Sequence, residues 1–164
     1  MKTEGGVQMK AMTILRRCRA AQADEERLQE RIWQRRDVLE SVSAPQGDPN
    51  GGSRAQGDRD KIGAILGDID QLEREKKARE EAKAAEEAAA VALLDMVPDL
   101  ENKVLYGYYV RRMDTTQIAK KEKYQASYLR KIKRQGEQLL AMLSPERVTA
   151  TLPGWYLKER GEKR

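Results

Sequence analysis

Histidine and phenylalanine are absent from this 164-residue chain, cysteine occurs once, and aromatic residues make up only 5% of it. Without histidine, the commonest general base and the commonest nitrogen ligand for zinc are both missing. The single Cys18 can form no disulfide within the chain and reads as a small buried apolar residue. No serine or cysteine stands in a recognisable nucleophile motif. The paired carboxylates Glu80 and Glu81, and Glu86 and Glu87, lie in an Ala/Lys/Glu-rich stretch whose plainest reading is a solvated helix face. An enzyme is therefore not expected, nor a cofactor or bound metal. Long apolar runs are missing too: nothing approaches the roughly 20 residues that span a bilayer, and the N-terminus has no signal-type apolar stretch. A cytoplasmic protein with no membrane partner is expected.

What the chain has in abundance is charge, 36% of residues, with a mean hydropathy of -0.83. Such a composition cannot fill a thick globular interior and suits long, solvated helices. The net charge of +5 is unevenly placed. Residues 1–100 are slightly acidic, whereas residues 101–143 hold ten Lys/Arg against four Asp/Glu. A local basic field of this kind attracts polyanions, nucleic acid above all.

Apolar spacing predicts an all-α fold, a long antiparallel helical hairpin followed by a C-terminal tri-helical unit. Ile14, Leu15, Cys18, Ala21, Leu28, Ile32 and Leu39 recur at helical steps and predict one amphipathic helix over 13–40, with Trp33 beside the stripe to help pack it. Residues 41–57, SVSAPQGDPNGGSRAQG, read as a flexible loop. A second helix from Asp58 or Asp60 to about Val97 carries Ile62, Ile65, Leu66, Ile69 and Leu72. Its middle, residues 73–90, is so poor in large apolar residues that it reads as a spacer or a self-association surface, the latter giving a homo-oligomer through the long helices. The expected domains are the hairpin, 1–97, a helical unit, 98–143, and a tail, 144–164, whose Leu152, Trp155, Tyr156 and Leu157 either dock back or bind a partner.

Within 98–143, Pro98 ends the second helix and opens the third, which carries Leu100, Val104, Leu105, Tyr108 and Tyr109. Asp114 or Thr115 caps a short helix, TTQIAKKE, and Gln125 or Ser127 starts a longer one reaching about Leu143. Ile118 and Ala119, then Tyr124, Leu129, Ile132, Leu139 and Leu140, are expected to face inward. Lys120, Lys121, Lys123, Gln125, Ala126, Ser127, Tyr128, Arg130, Lys131 and Arg134 are the candidate DNA-binding residues. A helix 10–12 Å across fits a major groove about 12 Å wide, so polar groups in its first turns can reach base edges.

The run from Pro98 to Leu143, with its Pro-initiated helix, Ile-Ala dipeptide and long final helix, resembles region 4 of bacterial sigma factors. The charged hairpin and the loop SAPQGDPNGGSRAQGDRDKIG before it are similar to phage sigma-like transcriptional activators of the RinA and ArpU types. The resemblance implies a helix-turn-helix that binds double-stranded, promoter-like DNA in the major groove beside host RNA polymerase, in the bacterial nucleoid. It places Ala126, Ser127 and Lys131 against bases, Arg130 and Arg134 against phosphates, and Gln125 at the helix N-cap, with Tyr128 and Lys131 carrying most of the sequence reading. The chain departs from the pattern at Tyr108, where arginine is usual, at Glu122 for a buried leucine, at Lys123 for a turn glycine and at Gly136 for alanine. Two other functions stay open on the sequence: a small DNA-packaging (terminase) subunit, which would form a ring of many copies, and a coiled-coil interaction module that binds no DNA.

Overall fold

A computed structural model describes residues 9–43 and 56–160, which form seven helices and no strand. Helix α1 spans Ala11–Ser43 and α2 Gln56–Leu94. Helix α3, Asp99–Leu105, runs into one turn of π-helix, Tyr106–Val110. Four shorter helices follow: α4, Thr115–Glu122; α5, Ala126–Ala141; α6, Pro145–Thr151; and α7, Gly154–Arg160. None is long and apolar enough to cross a membrane. The all-α class with a long N-terminal helix pair is as expected. Helix α1 outruns its expected bounds at both ends, and α2 starts earlier than expected but ends at Leu94, short of Val97, so Ser41–Ser43 and Gln56–Gly57, expected from their composition to be loop, are helical. The rest of that loop, 44–55, lies outside the described residues.

The described residues fall into two compact units that do not follow the expected domain bounds: 24–43 with 56–81, and 9–23 with 82–160. In the first unit the ion pairs Arg79–Asp24, Arg36–Glu73 and Arg35–Asp68 run in opposite senses along the two helices, so the segments are antiparallel. Leu28, Ile32 and Leu72 form their seam, with Ile65 and Ile69 also buried. Trp33 and Leu66, expected in that packing, are 59% and 51% exposed. Each follows a buried isoleucine by one residue, and a 100° step carries it off the seam.

In the second unit the Ala-rich end of α2 is core rather than spacer: Ala85, Ala89 and Ala90 are buried against Ile14, Leu15 and Cys18 of α1. Small side chains there let the two helices approach and admit the C-terminal helices. The tail docks. Val148 of α6, Leu152 and Tyr156 of α7 are buried in the same core, while Trp155 stays half-exposed. Glu86, for which the sequence predicts a solvated face, is instead 4% exposed and accepts a hydrogen bond of 2.7 Å from Tyr156 Oη. Glu87 is half-buried and accepts from Gln22 Nε2. Cys18 is fully buried as expected, and burial with the nearby Glu87 and Glu86 pushes its thiol up to about 12.

Candidate nucleic-acid interface

The basic segment is built on α3, α4 and α5. Pro98 stands at the N-cap of α3, and Asn102 Nδ2 donates to the carbonyl of Leu94, capping the end of α2. The π turn closes with Arg111 N–H donating to Tyr106 O at 3.0 Å. Asp114 then starts α4 through a reciprocal capping box with Gln117: its carboxylate accepts from the Gln117 backbone at 2.8 Å, and the Gln117 side chain accepts from the Asp114 N–H at 3.0 Å.

Helix α4 ends on Lys123, at φ 60 and ψ 44 in the left-handed region, and Tyr124 N–H donates to Ala119 O at 3.0 Å. This is a Schellman closure, normally a glycine position. The turn is thus built on a lysine that tolerates the left-handed backbone, with Glu122 half-buried beside it. Gln125, the third residue of the turn, occupies the N-cap of α5, as expected.

Helix α5 has three faces. Leu129, Ile132, Gly136 and Leu140 are buried. Leu129 and Ile132 join Val104, Ile118 and Ala119 in a small core, whereas Leu140 joins the larger one, so α5 is held near both ends. Opposite the core, at helical steps, stand Ser127, Lys131, Arg134 and Gln138, all exposed, with Arg130 on their flank. On the third side lie Tyr128, Leu139 and Met142, 43%, 44% and 82% exposed, with Tyr124 just before the helix at 45%. Tyr124 and Leu139, expected inside, are thus outside: Leu140 takes the inward position, and its neighbour is turned away by 100°.

Of the ten candidate residues, nine are exposed and share the α4–turn–α5 region. The tenth, Ala126, is half-buried and packs against the small core, which leaves it little surface for a base. Among the described residues Lys120, Lys121, Lys123, Arg130, Lys131 and Arg134 make no ion pair. Lys133 differs: it lies 2.9 Å from Glu137 Oε1 and 4.1 Å from the Tyr108 ring. Glu137 also accepts from Tyr109 Oη at 2.8 Å, and burial together with this bond drives the Tyr109 phenol upward. The carboxylate of Glu137 is thereby tied to the inner side of α5 and leaves the outer cations uncompensated.

Tyr108, where the resemblance expects arginine, receives one from α1: the Arg19 guanidinium lies 3.9 Å over its ring and donates to its carbonyl. Gln138 was missed, although its spacing of seven from Lys131 and eleven from Ser127 places it on their face. Among the described residues no group of acidic, histidine or cysteine side chains is arranged to hold a metal. Comparison with protein-family models, curated proteins and solved structures found no match for the chain.

Proposed function

We propose that this chain is a DNA-binding transcriptional regulator of the phage sigma-like kind, with α4 and α5 as its helix-turn-helix and α5 as the helix that enters the major groove. The observation that carries the reading is the pair of exposed, unpaired cations Lys131 and Arg134 on the side of α5 opposite its buried face, with Arg130 on their flank. Phosphates neutralise such cations with release of counterions, whereas a solvated helix surface usually interleaves both signs. Ser127, Tyr128 and Lys131, in the first two turns, are the groups for base edges. Lys120, Lys121, Lys123, Arg130 and Arg134 surround them for phosphates. The resemblance over 98–143 adds promoter-like DNA as the target and RNA polymerase as the neighbour there.

The test is a titration of fluorescent duplex DNA with wild type and with Lys131→Ala plus Arg134→Ala, at a series of salt concentrations from about 50 to 200 mM. Salt-sensitive binding that the double variant weakens supports the reading. Absence of binding to any duplex at the lowest salt overturns it in favour of a protein-interaction role for the helices.

A further inference from the structure

Two tyrosine rings stand in solvent where α5 begins. Tyr124 is 45% exposed and Tyr128 43%, and their ring centroids lie 5.6 Å apart with planes tilted by 41°. Together they form one continuous apolar surface that the protein's own cores do not use. Lys123 precedes the pair, and Lys131 lies one turn beyond it. A protein partner seeking an apolar patch would have to desolvate these two cations, whereas a polyanion with apolar groups on its surface meets both features.

Duplex DNA offers that combination in the major groove, where the only apolar group on a base edge is the 5-methyl of thymine. The polar side chains on the groove-facing side do not supply its counterpart. Lys131 is a donor suited to guanine O6 and N7, and Ser127 is short. The tyrosine pair supplies the missing apolar contact, at the N-terminal end of the helix that reaches deepest into a groove.

We infer that Tyr124 and Tyr128 read thymine methyl groups, giving the protein a preference for thymine at the base pairs under the start of α5. This inference rests on the reading of α5 as the groove-entering helix and adds the base that its aromatic side recognises.

The test compares an alternating A·T duplex with the same duplex carrying deoxyuridine in place of thymidine, which removes only the methyl. Wild type should bind the uracil duplex about fourfold more weakly for each methyl contacted, from the usual transfer free energy of one carbon. Tyr124→Ala plus Tyr128→Ala should bind the two duplexes equally, and Tyr128→Phe, which keeps the ring, should still discriminate. Both side chains are on the surface, so circular dichroism of the variants should match wild type. Equal wild-type affinity for the two duplexes, or discrimination that survives loss of both tyrosines, overturns the inference. So does tighter binding of single-stranded oligo(dT) through the same residues. If Lys131→Ala plus Arg134→Ala weakens duplex binding while the uracil exchange changes nothing, only the tyrosine assignment falls. If neither duplex binds at all, the DNA-binding reading falls with it.

Discussion

Gly136 of α5 and Leu105 of α3 are so close that a Cβ on the glycine would stand 2.7 Å from Leu105 Cδ1 and 3.2 Å from Glu101 Cβ. Leu105 is fully buried, so moving its Cδ1 would disturb the core around it, and Glu101 Cβ is fixed to the α3 backbone. The absent side chain therefore sets the distance between the helix that carries the cations and the helix that supports it. Gly136→Ala gains up to about 1 kcal/mol of helix propensity but overpacks the crossing at about 1–3 kcal/mol. The expected net result is destabilisation, read as a lower urea midpoint with unchanged slope. Adding Leu105→Ala should make the alanine at 136 less costly than it is alone; equal costs in both backgrounds would contradict the close-crossing account.

Lys123 holds a left-handed backbone at φ 60. Lys123→Gly should raise stability by roughly 1 kcal/mol, because glycine adopts this conformation without the Cβ clash. The same change removes one exposed cation, so duplex binding should weaken and its salt dependence should flatten by up to about 0.9. A thermal melt and a salt titration on one variant check both signs; a less stable variant would show that the lysine side chain supports the turn.

The tail is fastened by Tyr156, fully buried, whose hydroxyl donates to Glu86 at 2.7 Å. Tyr156→Phe keeps the packing and deletes a bond to a buried carboxylate, an expected loss of about 1–3 kcal/mol by denaturation. Trp155→Ala, next to it but 49% exposed, should cost clearly less. The reverse order would mean that the tail is not held by this bond.

Alkaline solution should loosen the same core. The Cys18 thiol is pushed from 9.0 up to about 12, chiefly by burial and then by Glu87 and Glu86. The folded state retains this proton while the unfolded chain releases it, so the contribution is full below pH 9 and is lost as the pH rises towards 12. The loss is about 1 kcal/mol per pH unit over that window. Between pH 9 and 11 wild type should lose stability more steeply than Cys18→Ala. Parallel pH curves would show that the thiol ionises without unfolding.

The helices and the candidate interface were largely legible because they depend on local signals. Asp114 with Gln117 marks the start of α4, and Ile118, Ala119, Leu129 and Ile132 define the small core by spacing alone. The misplaced residues depended on partners far along the chain. Glu86 is buried because Tyr156 arrives 70 residues later, and the Ala-rich end of α2 is core because α1, α6 and α7 cover it. Nothing near Tyr108 in sequence announces Arg19. Where two apolar residues are adjacent, as in Ile32–Trp33, Ile65–Leu66 and Leu139–Leu140, composition cannot say which turns inward. The seam's phase decides, and the other member is left in solvent.

Neutralisation of DNA phosphates by the outer face of α5, as proposed, should be read in the slope of log affinity against log salt. With Arg134 on a phosphate and Lys131 on a base edge, their replacement by alanine should flatten that slope by about 0.9 and reduce the sequence preference, while leaving the circular dichroism unchanged. A change of about 1.8 with the sequence preference kept would put Lys131 on a second phosphate. A slope identical to that of wild type would contradict the account.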